Sequence, residues 1–221
     1  MKSTFKLFRI AGIDIGIHYT WIFIFVFFSW SLAQGYFPQL YPDWSMAMYW
    51  ITGVIAALAI FVSVLLHELA HSLVGRARGI PVHSITLFIL GGVSNMEDEP
   101  EKPSAEFVMA IVGPATSLAL ALVFYLLTFV PHAADSAVFA VLGYLAIINL
   151  FLGAFNLLPG FPLDGGRVLR SIIWSSSGNL VKATNTAGIV GQVMGWVMIG
   201  VGVFLVFWTS IFTVLWLAGS S

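Results

Sequence analysis

The chain has 221 residues, of which 59% are hydrophobic and only 9% are charged, whereas soluble globular domains carry about 25% charged residues. The sequence therefore predicts an integral membrane protein in contact with a lipid bilayer, and the formal net charge of −1 gives no electrostatic support for nucleic acid as a partner. Because the chain contains no cysteine, disulfides and thiolate ligands are excluded, and any metal ion must be held by nitrogen and oxygen atoms.

Long apolar runs predict that most of the chain forms membrane-spanning helices, each of which needs about 20 such residues. The runs occur near residues 19–34, 48–74, 105–130, 137–158 and 185–208. A sixth run, 211–218, is shorter than a span, so we expect a longer natural chain to continue it. The expected fold class is an all-α polytopic membrane protein with about six transmembrane helices, which form a single domain over residues 1–221.

The basic residues indicate how the chain crosses the membrane. The nine Lys and Arg residues fall into three groups, at positions 2–9, 76–102 and 167–182, and the connections on the other side, 35–47 and 131–136, contain none. Cytoplasmic loops carry the excess of Lys and Arg. The sequence therefore predicts a multi-pass protein of the cell membrane (plasma or inner membrane) with a cytoplasmic N-terminus, whose second and fourth spans run inward.

A short membrane-associated β region is predicted between the second and third spans. Residues 82–93 are rich in strand-forming side chains, and Gly91-Gly92 lies where a hairpin or bend is expected. We expect a small sheet at the cytoplasmic face, followed by a solvated acidic loop at 97–101. After the fourth span, prolines and glycines interrupt the chain, and residues 167–174 indicate a short amphipathic segment at the interface.

The stretch LLHELAHSL places two histidines and a glutamate in the second predicted span. His67 and His71 are four residues apart and therefore share one helix face. With Glu68 they form an HExxH motif, in which two histidines bind a metal ion and the glutamate is the base that takes a proton from water. Ionisable residues inside a membrane helix usually mark a functional site. The alternative is that these side chains only hydrogen-bond to neighbouring helices, but the complete triplet favours metal chemistry.

A catalytic zinc ion normally takes three protein ligands, and without cysteine the third must be His, Asp or Glu. Asp164 qualifies, because it follows the inward end of the fourth span and is expected at the same depth as His67. Non-helical backbone at that depth is tolerated where it lines a cavity. The other histidines are weaker candidates, because they are expected at the interface, in the strand region or on the opposite side of the membrane: His18, His83 and His132.

Asn156 is a further candidate, eight residues before Asp164 in an apolar stretch. Its amide can donate a hydrogen bond to the oxyanion that forms when a carbonyl group is attacked. The alternative is a hydrogen bond between helices, which is the role expected for Asn149.

Four motifs together resemble the site-2 protease family of intramembrane zinc metalloproteases. They are HELAH in the second span, Gly91-Gly92 in the loop, Gly113-Pro114 in the third span and NLLPGFPLDGGR after the fourth. The resemblance covers nearly the whole chain. It implies that the Gly91-Gly92 segment belongs to the family's membrane-associated β region, which presents a strand edge to an extended substrate. No PDZ-like or CBS-type domain is recognised in the sequence.

The resemblance also implies a role for each polar residue of the motifs. His67, His71 and Asp164 are expected to bind one Zn²⁺ ion, and Glu68 is expected to be the general base. Asn156 occupies the position of the family's asparagine that helps to hold the substrate backbone or the oxyanion.

The predicted function is an intramembrane zinc endopeptidase that hydrolyses peptide bonds within or near the transmembrane segment of single-span membrane proteins, close to the cytoplasmic face. One alternative is an intramembrane metal-ion transporter or binding protein, since His and Asp also line ion paths. Such a path needs further polar residues, and residues 50–62 of the second span offer only Thr52. A second alternative is a catalytically inert relative that binds a membrane partner. The sequence leaves open the physiological substrate and the oligomeric state.

Overall fold

A computed structural model describes residues 4–89, 91–96, 100–130 and 136–219. Helices make up most of this structure, and a small sheet accompanies them. In chain order the elements are β1 (Thr4–Ile10), β2 (Ile13–His18), α1 (Trp21–Ser31), a π-helical segment (Leu32–Tyr36), α2 (Phe37–Leu40), α3 (Met46–Ala77), β3 (Val82–Phe88), β4 (Gly91–Met96), α4 (Pro103–Leu127), α5 (Ala137–Asn156), α6 (Asp164–Ser177) and α7 (Leu180–Gly219).

Within the described residues, five helical segments are long and apolar enough to cross a membrane. They are Trp21–Leu40, Met46–Ala77, Pro103–Leu127, Ala137–Asn156 and Leu180–Thr209. The prediction of about six spans is not confirmed in these residues, because the two apolar runs at 185–208 and 211–218 belong to one continuous helix, α7. Neither proline nor glycine separates the two runs, so the sequence contains no residue that would end the helix between them.

The helices around α3 share a core that is rich in small and aromatic side chains. Helix α3 packs against α1, the π-helical segment, α4 and α5. Gly53 of α3 allows a close approach to α1, since a Cβ atom there would lie 2.9 Å from the backbone oxygen of Ser29. Small residues of this kind let membrane helices come together. The other buried members of this core include Leu32, Ala33, Phe37, Ala56, Ala57, Ile60 and Leu145.

The sheet has four strands in the order β1-β2-β3-β4, with β2 and β3 parallel and the other two pairs antiparallel. The expected strands at 82–93 are confirmed as β3 and β4. The prediction did not include the N-terminal hairpin formed by β1 and β2, which turns at Ala11 and Gly12, both with positive φ. The alternating isoleucines of IDIGIH are the local signal for this strand pair, because period-2 apolar residues are typical of a half-buried strand.

The sheet packs against the C-terminal part of α3 and is fixed there by apolar contacts. Ile13, Ile15, Val82 and Ile85 form a buried cluster with Leu69 of α3. At the hairpin turn, the Arg76 side chain donates a hydrogen bond to the carbonyl oxygen of Ala11. Because Leu69 directly follows Glu68 in the sequence, this packing brings the sheet beside the HELAH stretch.

An exposed ion pair links the two strands of the hairpin. The Lys6 ammonium lies 2.7 Å from Oδ2 of Asp14, and Arg9 lies 3.5 Å from Oδ1 of the same carboxylate. The hydrogen bond from Lys6 holds the pKa of the Asp14 carboxyl group below its usual range.

Candidate metal centre

Three side chains from two distant parts of the chain meet at one point. Nε2 of His67 lies 3.2 Å from Nε2 of His71, and Oδ2 of Asp164 lies 3.1 Å from the first and 3.2 Å from the second. Both histidines are 4% exposed, and the Asp164 side chain is 15% exposed. In the described part of the chain, this is the group of three His, Asp or Glu side chains whose ligand atoms are close enough to hold a metal ion.

Helix α4 sets the orientation of both imidazole rings. Nδ1 of His71 lies 2.5 Å from the backbone carbonyl oxygen of Met109, and Nδ1 of His67 lies 2.9 Å from the hydroxyl oxygen of Ser117. A carbonyl oxygen only accepts hydrogen bonds, so Nδ1 of His71 carries the proton and Nε2 keeps its lone pair for a cation. Ring orientation by such partners is typical of metal-binding histidines.

Asp164 reaches the histidines because it is the first residue of α6, which follows a tightly folded loop. Gly165 makes this possible, because a Cβ atom there would overlap the backbone carbonyl groups of Leu157 and Leu158. In its deprotonated form Asp164 offers an anionic oxygen as a ligand, with Oδ2 3.1 Å from Nε2 of His67 and 3.2 Å from Nε2 of His71.

The three ligand atoms fit a small divalent cation. A tetrahedral zinc ion with bonds of about 2.0–2.1 Å separates its ligand atoms by about 3.3 Å, which is close to the observed separations of 3.1 and 3.2 Å. Gly113 of α4 keeps the adjacent space clear. A Cβ atom at this position would lie 2.8 Å from Nε2 of His67 and closer still to Nε2 of His71. With both rings protonated at Nδ1, the electron pairs of two nitrogens and one oxygen converge there, and a cation relieves their mutual repulsion.

Glu68 lies beside this group and is held by the sheet. Oε2 of Glu68 accepts a hydrogen bond of 3.2 Å from the Ser94 hydroxyl group of β4, whose oxygen lies 3.0 Å from that of Ser72 on α3. Because the Ser94 proton points to Glu68, Ser72 is the donor in the second contact. Gly92 of β4 touches Glu68 directly, since a Cβ atom there would lie 3.1 Å from Cδ and closer still to Cγ.

The contacts of two further predicted site residues, Asn156 and Gly91, do not test the roles predicted for them. Asn156 ends α5, and its amide Nδ2 donates a hydrogen bond of 2.9 Å to the carbonyl oxygen of Leu152 in the same helix. Gly91 begins β4 with φ +129°, and no atom lies within 4 Å of a Cβ built there. The oxyanion role of Asn156 and the substrate-binding role of Gly91 therefore stay predictions.

The weaker histidine candidates lie apart from the metal group, as far as the structure describes them. His18 ends β2, and its Nδ1 lies 2.8 Å from the hydroxyl oxygen of Thr20. His83 is an exposed residue of β3. His132 and the acidic residues 97–99 lie outside the described residues.

Four residues around the metal group were not predicted from the sequence. They are Ser72, Ser94, Met109 and Ser117. Ser117 had one available signal, because it lies four residues after Gly113 on α4 and hence on the same helix face as that motif glycine. Met109 acts only through its backbone carbonyl oxygen, so its side chain carries no sequence signal for this contact.

Comparison with known proteins identifies the family. A family model described as Peptidase family M50 matches residues 55–133 and 128–201. The matched range includes the HELAH stretch and the Asp164 loop.

Two curated relatives are similar over nearly all of this chain. "Putative zinc metalloprotease Rip3" of Mycobacterium tuberculosis is 40% identical over 204 residues, which are 91% of this chain and 52% of that protein. "Zinc metalloprotease MJ0392" of Methanocaldococcus jannaschii is 34% identical over 202 residues, which are 90% of this chain and 54% of that protein. The chain thus spans about half the length of these curated relatives.

A solved structure is similar in both sequence and fold. The "Site-2 Protease from Methanocaldococcus jannaschii" superposes with a TM-score of 0.59 at 30% sequence identity, and the match covers 92% of this chain and 86% of that one. The resemblance carried by the four motifs is therefore confirmed, and the chain belongs to peptidase family M50, the site-2 protease family.

Proposed function

We propose that this chain is an intramembrane zinc metalloprotease that hydrolyses peptide bonds in or near the transmembrane segments of single-span membrane proteins. The observation that carries the proposal is the convergence of His67, His71 and Asp164 within 3.2 Å of one another, with Glu68 beside them. We also propose that residues 1–221 form one metalloprotease domain, because a single metal group draws on both α3 and α6.

The metal ion is zinc, held by Nε2 of His67, Nε2 of His71 and Oδ2 of Asp164. Two imidazole nitrogens and one carboxylate oxygen form a donor set that zinc uses in catalytic sites. The curated relatives described above carry the name zinc metalloprotease. When bound, zinc acts as a Lewis acid that polarises a carbonyl group and activates water.

Glu68 moves the proton during hydrolysis. Its Oε2 atom is engaged by Ser94, which leaves Oε1 to accept a proton from the attacking water. The water oxygen bonds to the carbonyl carbon, the C–N bond breaks, and Glu68 passes the proton to the departing amine nitrogen. The Ser72–Ser94 pair keeps the carboxylate in one orientation during both transfers.

The free edge of β4 presents the substrate. A peptide bond in a helix is hydrogen-bonded and shielded, so the substrate must become extended before it is attacked. Within the described residues, β4 pairs only with β3, and its other edge is open for strand addition. Gly91 and Gly92 at the start of β4 let the substrate backbone come close to Glu68, and Asn156 donates to the developing oxyanion.

The position of the basic residues supports cleavage near the cytoplasmic face. His67 is nine residues from Arg76, or about 13 Å along a helix that rises about 1.5 Å per residue. Lys102 directly precedes α4, and Arg167 lies in the first turn of α6. Because Lys and Arg mark cytoplasmic ends, the metal centre lies below the cytoplasmic surface of the cell membrane, and the N-terminus is cytoplasmic.

The rival function of a metal-ion transporter would need a second metal-binding group along the path. A transport path needs several sites along the membrane, and His67, His71 and Asp164 form the group of this kind found in the part of the chain that the structure describes.

Substitution of Glu68, the proposed base, tests the proposed function. Wild type and Glu68→Gln, purified as full chains, are compared for zinc content and for cleavage of a transmembrane peptide in lipid vesicles. We expect both proteins to hold one zinc ion and the variant to lose cleavage, because glutamine cannot accept the proton. Equal cleavage by both proteins contradicts the role of Glu68, and transport of zinc without cleavage supports the rival function.

A further inference from the structure

We propose that a buried ion pair between Glu106 and Arg170 positions Asp164 for zinc binding. Neither residue touches the metal group, so both are positioning residues rather than ligands. The inference rests on the proposed function, because it assumes that His67, His71 and Asp164 hold the ion.

The ion pair is buried between α4 and α6. Glu106 is 0% exposed and Arg170 is 8% exposed. Nε of Arg170 donates a hydrogen bond of 2.6 Å to Oε1 of Glu106, and Nη2 of Arg170 also contacts this oxygen. Arg167 adds a second positive charge, with its Nε 3.8 Å from Oε1. A carboxylate loses its hydration on burial, and Arg170 replaces it at Oε1, whereas Oε2 has no hydrogen-bond partner among the described residues.

The pair joins the two helices on which the metal group depends. Glu106 lies on α4, three residues before Met109, whose carbonyl oxygen orients the His71 ring. Arg170 lies on α6, six residues after Asp164. Each partner is therefore within two helical turns of a contact in the metal group. The distance between the imidazoles and the carboxylate depends on how α4 and α6 are held together.

Arg170 also supports the loop that leads to Asp164. The central carbon of its guanidinium group lies 5.4 Å from the centroid of the Phe161 ring, within range of a cation–π interaction. Phe161 is three residues before Asp164. One side chain thus contacts the helix that orients the histidines and the loop that carries the third ligand.

An apolar contact could also hold α4 and α6 together, but it would make no directional bond between them. A guanidinium group is planar and donates hydrogen bonds in fixed directions. Removal of partners that orient metal ligands typically weakens metal binding by about 10- to 100-fold. We assign this orienting role to the Glu106–Arg170 pair.

Zinc affinity tests the role without any substrate. Full-length wild type, Glu106→Gln and Arg170→Lys are stripped of metal in detergent, and zinc affinity is measured by competition with a chromogenic chelator. The visible absorption of bound Co²⁺ reports the geometry of the ligands. We expect both variants to bind zinc about 10- to 100-fold more weakly and to show an altered Co²⁺ spectrum. Asp14→Asn, which breaks the exposed pair with Lys6, is the matched control and should bind zinc like wild type.

A double variant separates positioning from stability. Glu106→Leu/Arg170→Leu removes both charges, and such replacements often preserve the stability of the fold. We expect this variant to keep the helical circular dichroism of wild type while its zinc affinity stays reduced. Wild-type zinc affinity and Co²⁺ spectra in the folded variants overturn the inference.

The two proposals fail in different ways. If wild type cleaves a transmembrane peptide but the folded variants bind zinc normally, only the inference fails. If the variants lose zinc affinity but wild type does not cleave, the positioning role stands and the proposed protease activity fails. A wild-type protein that binds no zinc overturns both.

Discussion

Ser94 of β4 donates a hydrogen bond to the Glu68 carboxylate of α3 across 3.2 Å, and this contact joins the sheet to the proposed catalytic base. A carboxylate on a helix surface can rotate about its side-chain torsions, whereas Glu68 is restrained on one side by this hydroxyl group and on the other by the Gly92 backbone. The sheet therefore restrains the proposed base and also carries the edge that we propose for the substrate.

Ser94→Ala is expected to lower kcat and leave zinc content unchanged. A hydrogen bond to a charged group is worth about 1.5–3 kcal/mol, which corresponds to about a tenfold decrease or more if the bond is needed at the transition state. Initial rates of peptide cleavage in vesicles measure the effect. Thr116→Ala is the control, because the Thr116 hydroxyl group bonds only to its own helix at Val112. Equal rates for Ser94→Ala and wild type would remove Ser94 from the mechanism.

Gly113→Ala is expected to abolish tight zinc binding. The added methyl group would occupy the space beside both imidazole Nε2 atoms, 2.5 Å from Cε1 of His71. We expect zinc affinity to fall by about 100-fold or more, as for the loss of a partner that orients metal ligands. Gly143→Ala on α5 is the control, since its Cβ atom meets nothing within 4 Å. One tightly bound zinc ion per chain in Gly113→Ala would show that the ion lies elsewhere.

Gly92→Ala is expected to disturb Glu68 without disturbing zinc binding. A methyl group at this position overlaps the Glu68 side chain, which provides the three atoms nearest to it. We therefore expect zinc to be retained and cleavage to fall about tenfold or more, because the base or the strand must shift. Gly35→Ala, with no neighbour within 4 Å of its Cβ atom, serves for comparison. Loss of zinc together with cleavage would contradict this separation.

The two asparagines of α5 are expected to respond differently to alanine substitution. Asn149 is fully buried, and its amide Nδ2 donates a hydrogen bond of 3.0 Å to the Ser63 hydroxyl oxygen of α3. Asn149→Ala should therefore lower the melting temperature and leave kcat largely unchanged. Asn156→Ala should lower kcat by about 100-fold, as for other lost oxyanion donors, with no change in melting temperature. The reverse pattern would transfer the catalytic role to Asn149, and unchanged kinetics in both would leave the oxyanion without an asparagine donor.

The sequence predicted that His67, His71 and Asp164 would lie close together because each part of that prediction rests on a short-range rule. The spacing of His67 and His71 follows from the helical period. Asp164 followed from the direction of the fourth span and from the motif around it. The amphipathic segment after it, residues 167–174, was recognised from local composition, and it lies within helix α6.

The contacts around the ligands depend on packing between distant elements and could not be predicted in the same way. Ser117 meets His67 because α4 crosses α3 at one particular height. Ser94 meets Glu68 because of the register between β3 and β4, which shifts between Val82 and Ser84. A displacement of one residue would turn Ser94 to the opposite face of the sheet.

The parallel pairing of β2 with β3 determines when the sheet can form during synthesis. β2 ends at His18, and its partner begins only at Val82, after two membrane crossings. During synthesis the amino-terminal hairpin must wait beside the membrane until that partner leaves the ribosome. Because β4 emerges last of the four strands, the carboxylate of Glu68 acquires its hydroxyl partner only after two helices have been inserted.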